Sequence, residues 1–118
     1  MMEESKSLKK VKLAVAENRI VRLTATDSFF SIYIYLAKEG GRHKDHILGE
    51  NFCDCKYFVF HSIYSATPLE CYHLRALKTT LSGEKIITIN TSFKNITEII
   101  TDIYAYGKSL KLRKLITT

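Results

Sequence analysis

The sequence predicts an α+β fold: a small antiparallel sheet with several helices packed on it. Three observations point there. The length of 118 residues fits one domain, 1–118, with no Gly/Ser-rich linker and no internal repeat. Apolar residues alternate between positions 20 and 48, the period of half-buried strands. They recur at helical spacing around 8–15, 74–81 and 93–104.

The elements follow in order. Ser7 is placed to cap a helix reaching about Glu17, with Leu8, Val11 and Val15 on its apolar face. Val21, Leu23 and Ala25 alternate in a strand over 20–26. Residues 29–38 read as a central strand, because Phe30, Ile32, Ile34 and Leu36 line one face and Phe29, Tyr33 and Tyr35 the other. Gly40-Gly41 suits a tight hairpin turn, with the return strand running from Arg42 to Leu48. Gly49 and Asn51 break that strand just before Cys53. A short helix is expected over 56–65 and a loop at Pro68. Leu74, Leu77 and Leu81 mark a helix over 72–82, stopped at Gly83. An Ile-rich strand over 85–90 leads to a helix capped by Ser92, carrying Phe93, Ile96, Ile99, Ile100, Ile103 and Tyr104, and ended by Gly107. The tail from 108 is basic but too apolar to be free.

Composition narrows the function. With 46% hydrophobic residues the chain is not a disordered tail. Its longest apolar run, Phe29 to Ala37, is interrupted by Ser31 and falls short of the roughly 20 residues of a membrane span. The charged N-terminus does not resemble a secretory signal, so a cytoplasmic location is expected, nuclear in a eukaryote. Three cysteines are an odd number, which suits reduced thiols better than a disulfide scaffold. The net charge of +6 favours an acidic partner, nucleic acid being the common case.

The informative constellation is Cys53-Asp54-Cys55, a fifteen-residue spacer, then Cys71-Tyr72-His73. A structural zinc ion takes four sulfur or nitrogen ligands at tetrahedral corners. In extended chain, residues i and i+2 point to one side, so Cys53 and Cys55 can share an ion at a strand end. On a helix they do not, so Cys71 must precede the helix with His73 in its first turn. The positive helix end then favours the Cys71 thiolate. The ordinary alternative is three buried cysteines and an unrelated histidine. Two one-residue gaps flanking a loop-forming spacer favour the metal, and the histidine favours zinc over iron.

The pattern Cys-x-Cys, spacer, Cys-x-His resembles the SWIM zinc finger, a ββα zinc-binding module. Phe58 and Phe60 follow Cys55 in a Cys-x-x-Phe-x-Phe arrangement, and Leu74 and Ala76 follow His73 as in the family's Cys-x-His-Leu-x-Ala helix. The resemblance covers residues 29–78 and is nearest to the small SWIM subunit of the eukaryotic Shu complex and its archaeal relatives. It implies one structural zinc on Cys53, Cys55, Cys71 and His73. It also implies an accessory role in homologous recombination beside a RecA-type recombinase paralogue. Tyr72 stands where many members carry lysine, and Glu70 where proline is common.

Other candidates are weaker. His43 and His46 flank Asp45 but point to opposite faces of a strand, so surface histidines are the better reading. His61 is an alternative ligand, though its aromatic surroundings suit a packed histidine. A Cys/His nucleophile would need a free thiolate, and the zinc pattern claims every cysteine; the chain is therefore not expected to be an enzyme. Neither a membrane nor a small-molecule substrate is expected as partner. Two basic runs, Lys6, Lys9, Lys10, Lys12 and Lys108, Lys111, Arg113, Lys114, could contact nucleic acid, more so if the chain ends meet and pool their charge. Tyr33, Tyr35 and Tyr57 suit core or interface better than base stacking. The leading expectation is a zinc-binding adaptor in recombination. The alternative is a direct DNA-binding zinc module with a regulatory or mobile-element role.

Overall fold

The structure, a computed structural model, describes residues 2–38, 41–49, 52–55, 59, 71–83 and 86–117, with the backbone alone for 2–8. The fold is α+β, with helices packed around a five-stranded sheet. The elements are α1 (Met2–Ala16), β1 (Ile20–Ala25), β2 (Ser31–Tyr35), β3 (His46–Gly49), β4 (Phe52–Cys53), α2 (Tyr72–Ser82), β5 (Ile87–Thr91), α3 (Phe93–Tyr106) and α4 (Leu110–Thr117). The sheet order is β4-β3-β2-β1-β5, which makes β2 the central strand, as its two apolar faces suggest.

Three neighbouring pairs are antiparallel, and β5 joins β1 in parallel, so the sheet is mixed. The parallel pair is reached by a long crossover, which strand periodicity does not encode. Helix α1 starts at Met2 and runs through Ser7, so Ser7 is not its cap. Only residues 46–49 of the return segment form a strand. The connection after β2 is thus longer than a tight hairpin. The expected helix over 56–65 lies outside the described residues except at Val59, whose N–H donates to the Cys55 carbonyl.

Alternation along β1 divides the core in two. Ile20 joins Val11, Ala14, Leu48, Leu74 and Leu77 under α1 and α2. Val21, Leu23 and Ala25 join Ile34, Ile47, Ile96, Ile99, Ile103 and Leu112 under α3 and α4. The sheet is therefore covered on both faces, one helix pair to each. Phe93 and Tyr104 depart from the amphipathic pattern of α3 and turn outward, at 41% and 67% exposure.

Candidate metal centre

The β3–β4 hairpin carries one half of the centre. Leu48 pairs with Cys53 and Gly49 with Phe52, which places Cys53 at the last position of β4. The Asp54 N–H donates to the Ile47 carbonyl, holding the chain against β3 until Cys55. The other half sits where α2 begins. Cys71 is the N-cap residue, extended at φ −78° and ψ 167°, and His73 lies in the first turn. Both pairs thus adopt the geometry that their one-residue spacing requires.

The three sulfurs and one imidazole nitrogen all lie within 4.8 Å of one another, and all four residues are buried. Cys53 Sγ and His73 Nδ1 are 3.8 Å apart. A tetrahedral zinc with bonds of about 2.3 Å to sulfur and 2.0 Å to nitrogen separates such a pair by about 3.5 Å. The donor set fits a metal ion. Soft thiolates and a neutral imidazole suit a thiophilic one, and four protein ligands complete a tetrahedron.

Electrostatics favour a cation here. Contact with Cys55 and Cys71, together with burial, raises the Cys53 thiol far above its ordinary range. At Cys71 the contact with Cys53 favours the thiolate, but the neighbouring Cys55 and burial outweigh it and push the thiol up to about 11. The Leu74 N–H at the start of α2 favours the Cys71 thiolate, as expected of a positive helix end, but these other causes outweigh it. Three buried thiols this close repel each other's ionisation, and a shared dication reverses that. Burial lowers the pKa of His73, keeping its imidazole in the neutral form that ligation requires.

A polar and aromatic layer surrounds the ligands. His46 Nδ1 lies 2.8 Å from Asp54 Oδ1, joining β3 to the residue between the two hairpin cysteines. The His46 ring stacks at a tilt against His73, centroids 4.3 Å apart. Tyr35 meets His73 edge-on at 4.5 Å, and its hydroxyl is pushed up to about 12 by burial. Such outer contacts fix the orientation of ligand side chains. His46 is therefore not a surface histidine; its Asp54 partner lies eight residues away, and only the fold brings the two together. His43 is exposed, and it is absent from the single metal-competent cluster among the described residues. His61, Tyr57, Phe58 and Phe60 lie outside the described residues.

The basic residues divide. Lys9, Lys10 and Lys12 are exposed on α1, and Lys10 Nζ sits 5.0 Å over the Tyr72 ring. Lys114 is exposed on α4. Lys111 pairs with Glu98, and Lys108 donates to the carbonyl oxygens of Lys38 and Gly41 at 2.9 and 3.0 Å. Arg113 is engaged inside the fold with Asp45, at 2.7 Å. Since Val11 of α1 and Leu112 of α4 belong to cores on opposite sides of the sheet, the two runs do not share a face.

Among the described residues no helix is long and apolar enough to cross a membrane. Protein-family models, curated proteins and solved structures offer no match to this chain.

Proposed function

We propose that the chain is a SWIM-type zinc protein whose metal is structural and whose role is that of an adaptor. Its proposed setting is homologous recombination, beside a RecA-type recombinase paralogue. The convergence of Cys53, Cys55, Cys71 and His73 within 4.8 Å carries the metal part of this reading. Zinc is the ion that a buried Cys₃His set selects, since such closed tetrahedral sites hold it without redox chemistry. With all four positions filled by protein, no site is left for a reacting water. The ion would tie the β3–β4 hairpin to the start of α2. Binding of about 10–16 kcal/mol is typical of small zinc modules and is comparable to the stability of a whole domain.

The recombination setting rests on the resemblance of residues 29–78 to the small SWIM subunit of the Shu complex and its archaeal relatives. A second reading, a DNA-binding zinc module with a regulatory or mobile-element role, is favoured by exposed Lys9, Lys10 and Lys12 on one helix. One experiment separates the two. The protein is tagged and captured from extract of its own cells, with metal content measured on the same sample. About one equivalent of zinc and a co-purifying recombinase paralogue support the adaptor. Tight binding to bare DNA with no paralogue favours the second reading, and protein without zinc removes both.

A further inference from the structure

A cavity of about 220 Å³ opens on the α1/α2 face of the sheet, beside the metal centre. Its walls come from α1, the start of α2, β2 and the segment leading into β3. Among the described residues Lys10, Arg19, Lys38 and Lys44 line it, with Glu17 as the carboxylate. Arg19 already holds that carboxylate at 2.7 Å. The Lys38 charge acts on the same Glu17 carboxylate, whereas Lys44 makes no ion pair among the described residues. Among the described residues the lining therefore holds four cations to one carboxylate, with Lys10 also lying over the Tyr72 ring.

The rest of the lining combines Leu13, Ala14, Ala37 and two tyrosines with the imidazoles of His43, His46 and the ligand His73. Tyr35 and Tyr72 stand edge to face, with centroids 6.0 Å apart and an interplanar angle of 83°. Neither hydroxyl has a hydrogen-bond partner among the described residues. Leu13, at the wall, is 56% exposed and offers an apolar surface to the cavity. Phosphate recognition uses ammonium groups as point charges. Base recognition uses aromatic and apolar surfaces with free polar edges. Both kinds of surface meet in this one concavity.

We propose that the cavity binds one nucleotide unit, with the lysines on its phosphate and the tyrosines and Leu13 against its base. The volume falls below the roughly 300–1,000 Å³ of pockets for drug-sized ligands. It has no room for a dinucleotide cofactor, and a single nucleotide unit would sit partly in solvent at the open mouth. An acidic peptide would use the cations but leave the tyrosine pair and Leu13 without a role. The unit can come from a free mononucleotide or from a single strand, since both present the same phosphate and base. This site stands apart from the adaptor reading, which the zinc measurement and the capture experiment decide.

The test uses the full-length, zinc-loaded protein with two probes. One is dTMP, followed by NMR titration; the other is a short fluorescein-labelled oligo-dT strand, followed by anisotropy. The variant Lys10→Glu with Lys38→Glu alters the cavity rim, and Lys94→Glu on α3, across the sheet, is the control. Zinc content confirms that each variant retains its fold. Saturable binding of dTMP that shifts the Tyr35 and Tyr72 signals identifies free nucleotide as the source; binding of the oligomer alone identifies a strand. In either case the double variant weakens binding about tenfold or more, while the control leaves it within about twofold. Three results overturn the proposal. Neither probe binds, the double variant binds as tightly as the parent, or the control loses as much affinity as the double variant.

Discussion

Asp45 is 1% exposed, yet its two carboxylate oxygens are fully engaged. Oδ1 accepts from the Ala37 N–H at 2.9 Å and Arg113 Nη2 at 2.7 Å. Oδ2 accepts from Arg113 Nη1 at 2.8 Å and the Ser109 N–H at 3.3 Å. Arg113 in turn donates to the Ala37 and Ser109 carbonyls. The pair ties the connection before β3 to the start of α4, where the helix dipole also favours an anion. Truncating one partner leaves a buried charge uncompensated. Arg113→Ala is expected to cost about 3–5 kcal/mol, read as a fall in urea-unfolding stability. A loss below about 1 kcal/mol would mean that solvent replaces the guanidinium. Lysine cannot reproduce the two-pronged contact, so Arg113→Lys should recover only part of the loss. A second residue-scale prediction concerns His73, whose pKa is lowered by burial from 6.5. The unfolded chain then binds the extra proton first, so stability is full above about pH 6.5 and declines as pH falls through the lowered value. Acid also protonates the thiols and expels metal, which acts in the same direction. Unfolding midpoints of the metal-loaded protein should drop between about pH 7.5 and pH 5.5; a flat profile would count against the ligand role. At this scale the four ligands were legible because each pair is separated by one residue. Asp45 was not, because its partner lies 68 residues away and local sequence carries no trace of the pairing. For the same reason Arg113 read as part of a basic run.

At the scale of the element, the two ends of α3 were the most legible features, whereas the start of α1 was not. Ser92 caps α3 by accepting from the Asn95 N–H at 3.2 Å, as the sequence suggests. Asp27, from the β1–β2 connection, accepts from the Phe93 N–H at 2.9 Å and adds a second cap that no local pattern announces. Ser92→Ala should destabilise by about 1 kcal/mol, since Asp27 still serves the first turn. Loss of several kcal/mol in thermal unfolding would mean that Ser92 anchors more than its own cap. Gly107 ends the same helix in the left-handed region, at φ +85°. An added Cβ there would approach Lys44 Cγ to 3.0 Å, and the Gly107 carbonyl accepts from the Asp45 N–H at 2.8 Å. Gly107→Ala is expected to cost about 1–2 kcal/mol from backbone conformation alone, with the flexible Lys44 chain able to shift. Equal stability of the variant would disprove the conformational constraint. The sheet was less legible than the helices. Strand alternation located β1 and β2, but the parallel register of β5 on β1 depends on a crossover through α2. The connection between β2 and β3 is shaped by the Asp45 contacts and not by Gly41 alone.

For the whole molecule, the division of the core has a mechanical consequence. Cys53, Cys55 and Cys71 belong to the cluster under α1 and α2, and none belongs to the cluster under α3 and α4. A metal ion at these ligands would therefore cross-link only one layer. That layer also contains small buried residues, Ala14 and Ala76, where the other is rich in Ile96, Ile99 and Ile103. Isoleucine burial contributes roughly 1.5–3 kcal/mol per side chain, so among the described residues the α3/α4 layer has the larger apolar contribution of its own. Removing the metal should consequently loosen the molecule unevenly. Chelation is expected to speed hydrogen exchange of amides in β4, α2 and α1, while those of α3 and the adjoining face of β1 keep most of their protection. Re-addition of zinc should restore the slow exchange. Uniform acceleration across both layers would show that the two cores unfold as one unit and that the metal stabilises the whole domain. No change on chelation would remove the metal from any structural role. Because β1 contributes Ile20 to one core and Val21 and Leu23 to the other, its amides are the reporter that distinguishes these outcomes.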